Sequence, residues 1–234
     1  MKSDETDQPR RTNPDDTVRA VGNLAGEVVH ALRNPLAAFT TSLDLLLSGR
    51  LDADDVQSIH RVLRNELRKM DEMLQRTREL TRLHQLERVP ADLAAIVRER
   101  LDARTSDLAS ANIRLERDVP GEPLRIVGDA SLLEALVDAL LQNAVDAMQS
   151  TGGILGVRLA VDDGRAVLHV RDTGTGIAEH ARANVFRLFY STRSGAAGMG
   201  LPLARWIAYG HGGNVSLTFG ERGTEAVFSM PIEP

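Results

Sequence analysis

The 234-residue chain carries 28 basic and 33 acidic side chains, a formal net charge of −5, and is 42% hydrophobic but only 3% aromatic. This is ordinary globular composition, long enough for one or two domains with a real core. The charge balance excludes a broad nucleic-acid or anionic-lipid surface, the scarcity of aromatics excludes a base-stacking platform, and the absence of cysteine excludes disulfides and thiolate chemistry.

No apolar run approaches the roughly 20 residues of a membrane helix. Met1–Asp16 is polar, lacks the apolar core of a secretory signal, and is expected to be disordered. A soluble, cytoplasmic protein without membrane insertion is therefore expected, its stimulus coming from the cytoplasm or from an upstream sensor protein.

From Thr17 to Ser48 apolar residues recur at three- and four-residue steps: Val21, Leu24, Val28, Leu32, Phe39, Leu43 and Leu46. That period predicts a helix, kinked at Pro35, where one backbone donor is missing. Gly49 is expected to end it and the Asp52–Asp55 cluster to cap the next. The second helix, about Asp54–Leu86, has a near-heptad seam of Val56, Ile59, Leu63, Leu67, Met70, Leu74, Thr77 and Leu80. A lone hairpin cannot bury both seams, so a homodimeric four-helix bundle is expected.

Val89-Pro90 reads as a linker, after which the pattern mixes helix and strand. Helices are predicted over Leu93–Ala103, Ser131–Met148, Glu179–Leu188 and Leu201–Ala208. Strands are predicted over Ile113–Val119, Leu124–Val127, Gly153–Val161, Ala166–Arg171, Val215–Phe219 and Glu225–Met230. Asp162-Asp163-Gly164 makes a hairpin turn. Helices with largely antiparallel strands in one unit predict a two-layer α/β sandwich. The expected domains are thus 1–16 (tail), 17–88 (helical hairpin) and 89–234 (sandwich).

Four segments carry chemistry. The first, His30-Ala31-Leu32-Arg33-Asn34-Pro35-Leu36, offers an imidazole, which when neutral is a competent nucleophile for phosphoryl transfer. Asn34 lies one turn along the same face, where its amide can position a water. In the second, Asn143-Ala144-Val145-Asp146-Ala147-Met148, Asn143 and Asp146 share a helix face. They form either a solvated helix end or an oxygen site for Mg²⁺, which takes few protein ligands. The third, Asp172-Thr173-Gly174-Thr175-Gly176-Ile177, follows a strand and is either a plain turn or a place where glycines admit a ligand to the backbone. The fourth, Gly195-Ala196-Ala197-Gly198-Met199-Gly200-Leu201, is a loop entering a helix, whose N-terminal amides suit phosphate oxygens. Between the last two lies Val185–Arg193. Its aromatics anchor a loop, and Arg193 can reach a terminal phosphate.

In their order and spacing these segments resemble the sensor histidine kinases: His30–Leu36 the H-box, Asn143–Met148 the N-box, Asp172–Ile177 G1, Phe186–Arg193 the F-box and Gly195–Leu201 G2. His211-Gly212-Gly213 matches the usual end of the helix after G2, so the resemblance spans about Thr17 to Pro231. It implies a dimeric phosphoacceptor hairpin followed by an ATP-binding domain of the type shared with gyrase and Hsp90. It also implies ATP and Mg²⁺ as cofactors and a response regulator receiver domain as partner. His30 would attack the γ-phosphate, flanked by Arg33, and Asn34 would support dephosphorylation of the partner. Asn143 would hold Mg²⁺ and Asp172 the adenine amino group. Asp146, Gly174, Gly176, Ile177, Phe189, Thr192, Arg193, Gly198, Met199, Gly200 and Leu201 would complete the nucleotide site, with Ser191–Met199 as its lid.

Two positions depart from the family. Ala31 stands where an acidic residue usually follows the phosphoacceptor, and loss of such a base typically slows proton transfer about 10²- to 10⁴-fold. Glu27, three residues before His30, is a candidate replacement. Ala139 stands where a further Asn is frequent, on the face of Asn143. Both changes touch phosphoryl transfer, so a second reading is a kinase-impaired or phosphatase-biased adaptor that binds ATP and docks a response regulator or partner kinase. A phosphorelay protein with a degenerate nucleotide domain, or a gyrase- or chaperone-like ATPase, fits the motif set less well.

Overall fold

A computed structural model describes residues 14–48, 52–193, 196–220 and 222–232; of residues 14–25, Glu27 and His84 it describes the backbone alone. Most of the expected tail and Gly49 lie outside the described residues. The chain divides into two compact units, Met1–Glu66 and Leu67–Pro234.

The first unit contains helix α1 (Pro14–Leu47) and the start of helix α2 (Ala53–Arg82). Contrary to the expected tail, helix begins at Pro14, a residue well suited to a first helical position. Asp52 caps α2 as expected, its carboxylate accepting the Asp55 N–H at 2.8 Å. Helix α1 continues through Pro35, which leaves the Ala31 carbonyl without its ladder donor. Along α1, Val28, Pro35 and Ser42 recur every seven residues and are buried. The next row round the helix, Val29, Leu36 and Leu43, has the same spacing and is exposed.

In the second unit, α2 ends in a 3-10 turn at Leu83–Gln85. The Val89-Pro90 segment, expected as a linker, is instead strand β1 (Val89–Asp92), paired antiparallel with β3 (Arg125–Gly128). Proline is tolerated at such a sheet edge. A five-stranded sheet follows, with β2 (Ile113–Asp118), β4 (Gly153–Asp162), β5 (Arg165–Asp172), β6 (Asn214–Phe219) and β7 (Thr224–Pro231) in the order β2-β4-β5-β7-β6. Pairing is antiparallel except between β2 and β4. The β4–β5 turn has Asp163 and Gly164 at φ 45° and 69°, both left-handed as a two-residue hairpin requires.

Helices α3 (Leu93–Asp102), α5 (Ala130–Met148) and α7 (Gly200–Gly210) supply the second layer, joined by short α4 (Thr105–Ser110) and α6 (Glu179–Arg182). The core lies between the layers: Leu132, Leu133, Leu136, Leu140 and Leu141 of α5 meet Leu155, Leu168 and Phe228 of the sheet, all fully buried. This is the expected helical hairpin followed by a two-layer α/β sandwich. The helix expected over Glu179–Leu188 stops at Arg182. Beyond it the chain turns, and Phe189 sits at φ 60° with Gly198 packed against its backbone.

Candidate functional site

On α1, His30, Arg33 and Asn34 are exposed on one face, while Leu32 is half-buried and Pro35 buried. The helix therefore presents the imidazole, the guanidinium and the amide to solvent together. The Glu27 side chain lies outside the described residues.

In the second unit the other predicted residues gather at the C-terminal half of α5. Among the described residues the Asn143 side-chain nitrogen is buried without a hydrogen-bond partner. A buried amide donor left unpaired costs about 1–3 kcal/mol, which makes this nitrogen a candidate donor to a ligand. Gly200, the first residue of α7, lies against it: a Cβ there would stand 3.4 Å from Asn143 Nδ2 and 3.9 Å from the Ala139 Cβ. Among the described residues no side chain caps the first turn of α7, which leaves its backbone amides available to an anion.

Asp172 ends β5 with its carboxylate buried. Its Oδ1 accepts the Gly174 N–H at 2.8 Å. Burial pushes its pKa above the ordinary value, while the Gly174 and Thr224 amides and the Arg193 charge only partly offset the rise. Gly174 packs so closely on the Ala147 carbonyl of α5 that any Cβ would overlap it, and the Thr175 N–H donates to the same carbonyl at 3.1 Å. The Asp172 loop is thereby tied to the helix one turn beyond Asn143.

Arg193 closes the group from the lid side. Its guanidinium pairs with Asp146 at 3.1 Å and donates to the Asn143 carbonyl at 3.2 Å, while Gln142 donates to Asp146 at 2.7 Å. The arginine expected at a terminal phosphate thus rests on the Asn143–Asp146 turn. Gly176 and Gly198 adopt φ 66° and 68°, accessible to glycine at no steric cost. Ile177, Phe189 and Leu201 are half-buried, Thr192 is exposed, and Met199 is fully buried under the start of α7. Phe186 stacks beneath Arg205, 4.7 Å from ring centre to guanidinium carbon. Ser194 and Gly195 lie outside the described residues.

Two contributors had escaped the sequence reading. Gly223, at φ 75°, lies so close to the Asp172 carbonyl that no Cβ fits, and the Thr224 amide supports the carboxylate. A glycine before a strand is too common a signal to single out. Among the described residues no group of three His, Asp or Glu side chains converges on a metal position.

A sequence model of the His Kinase A (phospho-acceptor) domain matches residues 20–86, and one of the histidine kinase-, DNA gyrase B- and HSP90-like ATPase matches residues 128–234. Together they take in every motif described above. The chain belongs to the sensor histidine kinases. Among curated relatives, the chain is 27% identical over 220 residues to the sensor-like histidine kinase SenX3 of Mycolicibacterium smegmatis, covering 90% of the chain and 56% of SenX3. The chain therefore spans about half the length of such relatives. Among solved structures, Acinetobacter baumannii histidine kinase AdeS superposes with a TM-score of 0.70 at 22% identity, covering 88% of this chain and 98% of that one. Histidine kinase ThkA, solved in complex with the response regulator protein TrrA, superposes with a TM-score of 0.72 at 20% identity, covering 94% and 64%. At these identities the superpositions establish the shared fold. No helix among the described residues is long and apolar enough to cross a membrane.

Proposed function

We propose that this chain is the core of an ATP-dependent protein histidine kinase that phosphorylates its own His30 and passes the phosphoryl group to a response regulator. Residues 17–88 serve as the dimerisation and phosphoacceptor domain and residues 89–234 as the ATP-binding domain. The observation that carries the reading is the unpartnered Asn143 amide beside the uncapped start of α7, a cradle suited to a polyphosphate.

In this reading Asp172 accepts the adenine amino group, and burial makes that hydrogen bond stronger than one in water. Gly174, Gly176, Gly198 and Gly200 admit the nucleotide to the backbone, while Ile177, Phe189, Met199 and Leu201 shape the apolar wall. The Asn143 side-chain oxygen would hold Mg²⁺, which would supply charge neutralisation on the phosphates. Arg193 exchanges Asp146 for phosphate oxygens, with Thr192 beside it in the lid. A neutral His30 ring nitrogen attacks the γ-phosphorus as the bond to the β-phosphate oxygen breaks. ADP leaves, and the imidazole proton passes to a base, for which Glu27 is the candidate. The phosphoryl group then moves to a receiver-domain aspartate. Asn34 positions water for the reverse loss of phosphate from that aspartate, and Arg33 lies beside the anionic groups involved. The capture of ThkA with a response regulator supports this class of partner. The exposed Val29, Leu36 and Leu43 row supports a homodimer, and the use of ATP supports a cytoplasmic site of action.

Ala31 and the buried Ala139 favour a second reading, a kinase-impaired ATP-binding adaptor that docks a response regulator or partner kinase. Incubation with Mg·ATP labelled at the γ-phosphate separates the two. The kinase reading expects acid-labile label on the wild type and none on His30→Gln. Nucleotide binding without label would leave the adaptor.

A further inference from the structure

His211 lies at the end of α7, away from every residue assigned above. Its ring is buried, with Nδ1 2.8 Å from the Ile207 carbonyl and Nε2 3.0 Å from the Asp129 amide. A carbonyl only accepts and an amide N–H only donates, so Nδ1 carries the proton and Nε2 is the acceptor. One imidazole thus joins the last turn of α7 to the cap of α5. Gly128 makes room for it: a Cβ there would stand 2.7 Å from the ring. Asp129 in turn caps α5, accepting from the Leu132 N–H at 3.2 Å and the Ser131 hydroxyl at 2.7 Å. Arg82 lies 3.9 Å from that carboxylate, and Arg88 donates to the Gly210 carbonyl at 2.6 Å.

Helices α5 and α7 meet again at the other end of α7, where Gly200 faces Asn143 and Ala139. Asn143 lies about 21 Å along α5 from Asp129 at 1.5 Å per residue. At that contact Gly200 and Ala139 face each other, and small side chains form shallow ridges that resist sliding weakly. The hydrogen-bonded junction through His211 lies at the opposite end of α7.

We propose that His211 is a positioning residue for the nucleotide: by joining the end of α7 to the cap of α5 it fixes the register of the two helices, and with it the placement of Asn143 against the first-turn amides of α7. The inference rests on the nucleotide site proposed above. His211→Leu removes both hydrogen bonds at similar bulk, whereas His211→Gln retains an amide oxygen able to accept from Asp129. Affinity for the fluorescent nucleotide TNP-ATP is measured on the full chain at a temperature where each variant is folded, alongside the ATP dependence of His30 labelling.

His211→Leu is expected to weaken TNP-ATP binding about tenfold and raise KM similarly, with kcat at saturating ATP within about twofold, and His211→Gln to recover part of the loss, binding about threefold more weakly than the wild type. If the leucine variant does not fold, the glutamine variant decides. A shifted Asn143 side-chain amide resonance with about threefold weaker binding supports the inference. Lower thermal stability with unchanged affinity and an unchanged Asn143 resonance overturns it, leaving His211 a purely structural residue. Failure of the wild type to bind TNP-ATP would instead overturn the nucleotide site itself.

Discussion

Asp172 illustrates how a buried carboxylate can cost stability. Because burial raises its pKa in the folded chain, its contribution to folding is most favourable below the ordinary carboxylate range and is lost as pH rises through the raised value. At neutral pH the ionised group therefore opposes folding, while a nucleotide that uses it as an acceptor offsets that cost. Asp172→Asn is expected to weaken nucleotide binding at least about tenfold yet move the melting temperature by no more than about 2 °C, because relief of the buried charge offsets a lost hydrogen bond. Titration and a thermal scan of the same variant check both. His211 has the opposite sense. Burial lowers its pKa below the ordinary 6.5, aided by Arg88 and only partly opposed by Ile207 and Asp129. Its contribution is full above 6.5 and is lost as pH falls toward the lowered value, since the unfolded imidazole takes up the proton first. Melting scans from pH 7.5 down to about 5 should fall more steeply for the wild type than for His211→Gln; parallel curves would contradict this. Behind Asp172, Gly223→Ala must strain a left-handed residue and displace the Asp172 carbonyl, an expected loss of about 2–4 kcal/mol in urea unfolding.

Among the elements, α5 is held on both sides. His211 ties it to α7, and Asp138 fastens it to the α3 end through Arg100 at 3.4 Å and Arg104 at 2.9 Å. Both arginine Nε atoms are buried and unpartnered, so these side chains depend heavily on their terminal nitrogens. Asp138→Ala should cost about 1–2 kcal/mol, toward the lower figure because the carboxylate is partly exposed, read as a lower urea midpoint at unchanged m-value. Most elements were legible in the sequence because their periods are local: the aliphatic repeat of α5 and the alternation of β4 and β5 state which face is buried. Non-local features were less legible. Strand β1 was hidden by Pro90 and by its partner lying in β3, where Pro90 pairs with Val127, 37 residues further along the chain. The parallel β2–β4 pairing leaves no mark in either strand alone. Helix α6 ends early at Arg182, and the chain beyond it turns through Phe189 at φ 60°, against whose backbone Gly198 packs. At the candidate site, the motifs single out Asn143, Asp172 and the glycines as candidates, while Gly223 and the resting contact of Arg193 with Asp146 emerge only from the fold.

For the whole molecule, the exposed apolar rows are the largest unspent feature. Val29, Leu36 and Leu43 on α1 and Val56, Leu67 and Leu74 on α2 are all exposed in the single chain. Stripes of this kind mark association surfaces. Sedimentation at micromolar concentration should give twice the 25.5 kDa chain mass, and Leu43→Glu should shift the population toward monomer; a wild-type monomer would contradict the bundle. The proposed kinase activity turns on the fate of one phosphoryl group. Its most direct measurement is peptide-resolved mass spectrometry, under neutral conditions, of the protein incubated with Mg·ATP. The expected product carries one added phosphoryl group on the peptide containing His30, removed by acid and absent from His30→Gln. Phosphate found only on another residue, or none at all on a chain that binds nucleotide, would contradict it.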